Sequence, residues 1–306
     1  MLHGRFEAAW AESDRALRER AGVPQWELPR HLQGVWDGAP LDGRRVLVRC
    51  YHGLGDTLQF VRYAPLLRAR AAEVTLWAQP ALLPLLHGAR GIDRLLPLHD
   101  GEPDLAYDAD VEIMELPHVF RTTRRTVPGG VPYLRAPRAR LARDGGLHVG
   151  IAWSCGGWNA ETRTIPCPLL APLAAIPGVT LHALQRGPAL AEWPAAFGPV
   201  SGSDDVLTAA GVMRALDLVL SVDSFPAHLA GAQGVPVWTL LHADCDWRWM
   251  ARGTRSPWYP TMRLFRQPAP GAWEPVIAAV AARLRRLAAR RARRDDGARW
   301  QDHCRA

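Results

Sequence analysis

Short apolar runs, rich in β-branched residues, recur along the chain, and between them the apolar positions fall at helical spacing. Residues 45–51 (RVLVRCY) read as the first buried strand, and residues 57–70 follow with helical spacing of Leu58, Val61, Leu66 and Ala69. The alternation continues with a strand at 73–78 and a short helix at 80–87 that opens on proline, which a first helical turn tolerates. Strands at 94–98 and 110–114 come next, and residues 128–144, rich in Gly, Pro and Arg, read as a boundary. A second set follows: strand 148–154, helix 168–175, strand 179–185, helix 206–215, strand 217–222, helix 226–233 and strand 235–241. Alternation at this spacing predicts parallel sheets covered by helices. The expected fold class is therefore α/β, with two doubly wound, Rossmann-like domains whose ligands bind at the carboxyl ends of the strands, in a central cleft that the domains face. Ahead of them, residues 1–22 read as an amphipathic helix ending at glycine, and residues 23–43 as a linker rich in Pro, Gly and Trp. The expected bounds are 1–43 for helix and linker, 44–140 and 145–270 for the two domains, and 271–306 for a C-terminal helix and basic tail.

Composition narrows the chemistry. The 306 residues suffice for two domains with sizeable cores, and 48% apolar and 22% charged content is that of a soluble globular protein. No apolar run approaches the roughly 18 residues of a membrane helix, and residues 1–10 lack a signal-peptide layout, so a cytoplasmic protein is expected. The five cysteines are scattered, odd in number and without a CxxC pair, which argues against a disulfide framework or structural zinc and for reduced, mostly buried thiols. All 37 basic residues are arginine. Without lysine, a Walker A loop and a Schiff-base cofactor are excluded, and any anion site must use arginine or backbone amides. The net charge of +7 suggests nucleic acid, but nine Arg and three Asp after residue 281 account for most of it; elsewhere 28 Arg face 27 acidic residues. That tail reads as a solvated helix end. The alternative is a patch that touches an anionic membrane surface or nucleic acid; of these the weak membrane-surface contact is kept, and no nucleic-acid partner is expected.

Two stretches carry candidate chemistry. Gly53-Leu54-Gly55-Asp56 lies where a strand meets a helix, with glycines that permit tight or positive-φ geometry and close approach to a ligand. Asp56 there fits a general base on an acceptor hydroxyl, and equally a helix N-cap with Gln59 as capping-box partner. The second stretch is Ser221-Val222-Asp223-Ser224-Phe225-Pro226-Ala227-His228, a strand end running into a helix with Pro226 at its start and Gly234 at its stop. Amides from Ser224 to Ala227 would draw a phosphate, although Asp223 and Ser224 also suit a cap. His228, in the first turn, fits a donor to a phosphate oxygen and equally a packed core residue. Trp153-Ser154-Cys155-Gly156-Gly157 leaves a strand on glycines, and the following NAETRTIP offers Arg163, a bidentate clamp for a diphosphate, and Thr164. Gln185 ends a strand, within reach of a base or ribose. Trp247, Trp249 and Trp258 suit packing, or stacking on a sugar or base.

Three ordered segments, GLGDTLQFVRY (53–63), SVDSFPAHLAGAQGVPV (221–237) and DWRWMARGTRSPWYPTMRLFRQ (246–267), resemble the carboxyl-terminal domain of bacterial tetratricopeptide-repeat glycosyltransferases. That domain is similar to the ADP-heptose lipopolysaccharide heptosyltransferases of glycosyltransferase family 9. GRFEAAW (4–10) and WDGAPL (36–41) resemble the last repeat helix and the linker before such a domain, and the resemblance spans residues 4–284. It implies a GT-B fold and an inverting, metal-independent transfer of heptose or a related sugar from a nucleoside-diphosphate sugar, ADP-linked, to a hydroxyl acceptor, with no cofactor. On it, Asp56 matches the base, with Gly53, Leu54, Gly55 and Gln59 around it. Asp223, Ser224 and His228 match the motif facing the donor diphosphate, Arg163 and Thr164 the basic loop, and Gln185 a position near the nucleotide. The chain departs from the pattern in a shorter 153–166 loop without lysine, in Ser224 where threonine is usual, and in Phe225-Pro226 where smaller residues are usual. These departures leave a catalytically inactive nucleotide-binding scaffold as one alternative, and a nucleotide-sugar epimerase or hydrolase as another.

Overall fold

The computed structural model describes residues 1–303 apart from Pro24, Asp144 and Trp158, with side chains described as far as residue 293. The chain forms two compact units: Met1–Arg135 with Asp246–Arg252 and Pro257–Pro260, and Ala136–Cys245 with Gly253–Ser256 and Thr261–Ala306.

The first unit opens with helix α1 (Phe6–Arg20). Strand β1 (Arg45–Arg49), helices α2 (Leu54–Phe60) and α3 (Ala64–Arg68), strand β2 (Glu73–Ala78), helix α4 (Leu83–Leu86), strands β3 (Arg94–Pro97) and β4 (Ala109–Glu112) and helix α5 (Leu116–Val119) follow. The strands form a parallel sheet in the order β3-β2-β1-β4, with Val46 opposite both Val74 and Ala109. The apolar side chains of β1 and β2 are buried on both faces, as a parallel sheet under helices requires. The helix expected at 57–70 starts earlier, at Leu54, and divides into α2, a 3-10 turn at Val61–Tyr63 and α3. Pro65, at the second position of α3, has no N–H to carry a continuous ladder through the break. Helix α1 packs on this unit through Phe6 and Trp10 beside Met250, its Trp10 Nε1 donating to Thr122 O at 2.7 Å and its Asp14 pairing with His118 and Arg121.

The second unit contains strand β5 (Leu147–Ala152), helices α6 (Ala160–Arg163) and α7 (Ala171–Ala174), strand β6 (Val179–Ala183), helix α8 (Val206–Ala215), strand β7 (Leu218–Val222), helix α9 (Phe225–Ala232), strands β8 (Val237–Leu241) and β9 (Met262–Arg266), and helix α10 (Trp273–His303). Its sheet is parallel, in the order β6-β5-β7-β8-β9. Its core runs from Val149, Ile151 and Trp153 through Leu218 and Leu220 to Ile277, Val280 and Leu284 of α10. The helix expected at 168–175 is a 3-10 turn at Cys167–Leu170 followed by α7, with a proline near the start of each piece. Strand β9 adds an edge that was not expected from the sequence, although buried Met262 and Leu264 alternate with half-buried Arg263 and Phe265 in the period-two pattern of a strand.

The first unit changes to the second between Arg135 and Ala136, within the expected boundary stretch, but residues 246–252 and 257–260 return to the first unit rather than staying with 145–270. Arg62 explains that return. It is buried, and its guanidinium donates to the carbonyls of Gln59 and Trp258 and to the Tyr133 hydroxyl. The rings of Tyr133 and Tyr259 lie 4.7 and 4.6 Å from its charge. One fork of donors thus ties α2 to two remote segments. Trp249 and Trp258 are fully buried here, and Trp247 meets Trp258 edge-on, so these tryptophans pack rather than present a stacking face. Among the described cysteines, Cys50, Cys167 and Cys245 are buried and Cys155 is half-buried, and none of them forms a disulfide; Cys304 lies outside the described residues. No helix among the described residues is long and apolar enough to cross a membrane. The basic tail from residue 294 onward lies beyond the described side chains.

Removing the Arg62 fork leaves buried carbonyls without donors, each costing about 1–3 kcal/mol. Arg62→Met is expected to lower unfolding stability in urea by about 3 kcal/mol. Arg62→Lys is expected to recover only part of that, because an ammonium cannot span the same acceptors. Wild-type unfolding midpoints in both variants would show that the buried cation does not hold the segments together.

Candidate functional site

In the first unit the strand order reverses between β1 and β4, so the loops after these two strands part and leave a gap at the carboxyl edge of the sheet. The loop after β1 carries Gly53-Leu54-Gly55-Asp56, and the end of β4 carries Glu112. Glu112 is 1% exposed and bridges the gap: its Oε1 accepts from Tyr51 N at 3.1 Å and its Oε2 from Met114 N at 2.6 Å. His52 Nδ1 lies 2.9 Å from Glu112 Oε1, off the line of an ideal hydrogen bond but close enough for an ion pair when protonated. Burial works against a charged His52, yet Glu112, with a smaller pull from Asp56, raises its pKa above the ordinary histidine value. Gln79, just after β2, accepts from Thr57 Oγ1 at 3.0 Å and donates to His52 O at 2.7 Å, which anchors the loop from the other side.

Asp56 is the third residue of α2 rather than its N-cap, a position held by Gly53. Its Oδ2 accepts from Gly53 N at 3.0 Å, half of a capping box, since a glycine has no side chain to return the bond. Gly53 has φ −67°, and Gly55 lies within the helix, so neither glycine takes the positive-φ geometry allowed for in the sequence. Gln59 is not a capping partner. It is fully buried, and its Oε1 accepts from Arg248 Nη1 at 3.1 Å. The same Arg248 nitrogen donates to Asp56 Oδ1 at 2.7 Å, while Arg248 Nε donates to Asp246 at 2.9 Å. Arg248 was missed as a site residue from the sequence; 192 positions separate it from Asp56, and only the return of residues 246–252 to this unit brings them together. The side chain of Asp56 keeps 22% exposure, so a carboxylate oriented by Arg248 and the Gly53 amide remains open to a ligand.

In the second unit the order reverses between β5 and β7, and the loops and first helices after these strands hold the remaining candidates except Gln185, which follows β6. Ser224 is the N-cap of α9 with extended backbone, but its hydroxyl makes no cap bond and lies near Ser221 Oγ, at 3.3 Å, and Val222 O. The amide supply is smaller than the sequence suggested: Pro226 has no N–H, and Ala227 N already donates to Ser224 O at 3.0 Å. Ser224 and Phe225 are left to offer amides at the helix start. Asp223 and His228 are buried, with Oδ1 and Nε2 3.8 Å apart. Arg163, at the end of α6, donates through Nη1 to Asp223 O at 2.7 Å and through Nη2 to Gly156 O at 3.2 Å. It joins the two loops across the gap instead of standing free as a clamp. Thr164 meets Ser154 Oγ at 3.2 Å. Gln185 does not extend toward a ligand: its Oε1 accepts from the amides of Trp153 and Ser154, and its Nε2 donates to Arg186 O. Cys155, beside these residues, has its thiol pKa raised, first by burial, with Asp223 adding and Arg163 opposing. No group of three or more His, Cys, Asp or Glu able to hold a metal ion occurs among the described residues.

The raised His52 pKa has a sign. Its contribution to stability is fully present below the unfolded value of about 6.5 and is lost as pH rises through the higher folded value. His52→Gln is therefore expected to flatten the fall in stability with rising pH above about 6.5. Urea midpoints across that range test it; a slope identical to wild type would show that the His52–Glu112 pair is not energetically coupled to folding.

No family model matches the chain. It is 28% identical over 335 aligned residues to protein FlbA of Caulobacter vibrioides, an alignment covering 94% of the chain and 53% of FlbA, so it spans about half the length of that curated relative. Three solved structures share its fold. The glycosyl transferase family 9 protein of Veillonella parvula is 13% identical, with a TM-score of 0.55 over 75% of this chain and 87% of that one. The iron-containing dodecameric glycosyltransferase TibC of enterotoxigenic Escherichia coli is 14% identical, with a TM-score of 0.54 over 78% and 67%. The E. coli heptosyltransferase WaaC with ADP-2-deoxy-2-fluoro heptose is 15% identical, with a TM-score of 0.51 over 80% and 100%. The chain has the α/β fold, built on parallel sheets, of the family 9 heptosyltransferase structures.

Proposed function

We propose that the chain is a GT-B glycosyltransferase that moves a sugar from a nucleoside-diphosphate sugar to a hydroxyl acceptor, with acceptor chemistry in the first unit and donor chemistry in the second. The observation that carries this reading is that Asp56, Asp223, Ser224, His228 and Arg163 all lie in the loops and first helices that follow the strands at the reversal point of each parallel sheet. The likeness of fold to heptosyltransferase structures supports it. Of those structures, TibC has been solved with ADP-D-β-D-heptose and WaaC with an ADP-fluoroheptose, which makes ADP-heptose the working donor.

The reaction is a single in-line displacement. Asp56 takes the proton from the acceptor hydroxyl, whose oxygen bonds to the anomeric carbon as the bond to the diphosphate breaks, inverting that carbon. Arg248 and the Gly53 amide hold the carboxylate in place for this step. The negative charge that grows on the leaving diphosphate meets the start of α9: the Ser224 and Phe225 amides, the Ser224 hydroxyl and His228, with Arg163 holding the opposite loop in register. The scheme uses no metal. A second reading, a nucleotide-binding scaffold without turnover, is favoured by one observation: Arg163 and Gln185 spend hydrogen bonds on the protein's own backbone.

Thermal stabilisation by ADP, GDP, UDP, CDP and dTDP, each with magnesium and with EDTA, separates the readings. The proposal expects a selective shift that survives EDTA and is lost in Ser224→Ala. With the matching nucleotide sugar, Asp56→Asn is expected to keep the shift and lose transfer by roughly 10²–10⁴-fold. Normal transfer by Asp56→Asn removes the base, no shift with any nucleotide removes the donor site, and a shift without turnover on any donor leaves the scaffold.

A further inference from the structure

The carboxyl ends of β8 and β9 border a cavity of about 430 Å³ in the second unit, walled by the 159–166 loop, the residues after each strand and the start of α10. The volume falls within the roughly 300–1,000 Å³ of small-molecule sites. Two of its lining side chains are poorly satisfied. His242 is 4% exposed and Gln267 6%; Gln267 Nε2 has no hydrogen-bond partner in the protein, and the ring nitrogens of His242 make no well-aligned hydrogen bond, only a poorly aligned contact with the main chain of Asp244. Buried polar groups without partners are rare, because the cost of stripping water from them is not returned. Gln267 Oε1 accepts from Ala243 N at 3.2 Å, which settles its amide orientation and leaves the NH₂ group as the end to be satisfied. Burial is the main influence lowering the pKa of His242, with Arg163 acting the same way, while Asp223 and the main chain and carboxylate of Asp244 oppose them. A neutral imidazole presents one donor and one acceptor.

The charge of the lining selects the ligand. Glu161 and Asp244 border the cavity and no Arg does, so a phosphate meets carboxylates there. Neutral donors, carboxylate acceptors and the indole of Trp273 match an uncharged polyol, whose hydroxyls both give and accept hydrogen bonds and whose C–H face packs on an aromatic surface. We propose that this cavity binds the uncharged sugar ring of a glycosyl ligand, with His242 and Gln267 bonding its hydroxyls. That the ring is the sugar of a nucleotide donor rests on the glycosyltransferase reading; the preference for an uncharged polyol rests on the cavity alone.

Saturation-transfer NMR on the full chain tests it, with mannose, glucose, galactose and a heptose as probes and glucuronate, adenosine and inorganic phosphate as contrasts. His242→Phe keeps the ring volume and breaks no well-aligned protein hydrogen bond, only the weak contact with the Asp244 main chain, so its ligand-free melting temperature is expected to equal or exceed wild type. Gln267→Glu keeps an acceptor for Ala243 N and removes the donor. Transfer to at least one neutral sugar is expected in wild type, weakened at least tenfold in both variants, with nucleoside-diphosphate stabilisation retained. No transfer to any neutral sugar, equal transfer in both variants, or a His242-dependent signal from adenosine or glucuronate instead would overturn the proposal. Sugar binding without any nucleotide shift would sink the glycosyltransferase reading and leave the cavity assignment standing; a nucleotide shift without sugar binding would do the reverse.

Discussion

Every strand in both sheets runs in the same direction, and that constraint governs where chemistry collects. A parallel sheet sends all its strand ends to one edge, and right-handed crossovers allow one place where successive connections part to opposite faces. In the first sheet that place is between β1 and β4, in the second between β5 and β7. The loops there part to opposite faces of the sheet, so their polar groups are satisfied by one another, by solvent or by a ligand. The structure does part of this internally. Glu112 bonds the backbone across the first gap, and Arg163 bonds carbonyls on both sides of the second. Beside these bridges lie the partly exposed carboxylate of Asp56 and the start of α9 at Ser224.

The absence of lysine shapes how these bridges are made. Arg62 and Arg248 are both nearly buried, and each binds groups far apart in sequence. A guanidinium suits this because its donors diverge in a fixed plane, it is more weakly hydrated than an ammonium, and it does not shed its proton when buried. Arg62 has carbonyls and phenol groups around it, while Arg248 has two carboxylates and an amide. The first arrangement is architectural and the second reaches the candidate site, so residues 246–252 and 257–260 both close the first unit and orient Asp56.

Much of the fold was legible in the sequence because buried parallel strands are continuous apolar runs: β2 falls where expected to the residue, and β1, β5, β7 and β8 within a few positions. Helices were less legible where prolines sit near their starts, as at Pro65, Pro168 and Pro172, since periodicity persists across breaks in the hydrogen-bond ladder. At the site, local patterns located Asp56 and Ser224 but not their partners. The spacing of Asp56 and Gln59 suited a capping box, yet Gln59 turns inward to Arg248, a contact that no local pattern encodes. Gln185 was placed at a strand end correctly, but its side chain is consumed by the amides of Trp153 and Ser154. Residue type and position were readable; the spending of each hydrogen bond was decided by neighbours remote in sequence.

That distinction bears on how Arg163 and His242 are to be understood. A side chain that bonds the protein's own carbonyls, as Arg163 does, is usually taken as lost to catalysis. Its work is instead to fix the loops before a ligand arrives, and fixed dipoles stabilise developing charge better than groups that must reorganise during reaction. His242 is the opposite case: buried, close enough to Arg163 and Asp223 to feel their charges, and without a well-aligned hydrogen bond to the protein. Folding alone favours an apolar residue at such a position, because an unsatisfied imidazole costs stability that a phenyl ring does not. The two residues therefore differ in kind: Arg163 is satisfied by the protein and gives the loops their shape, while His242 faces a cavity in which its hydrogen-bonding capacity is still to be used.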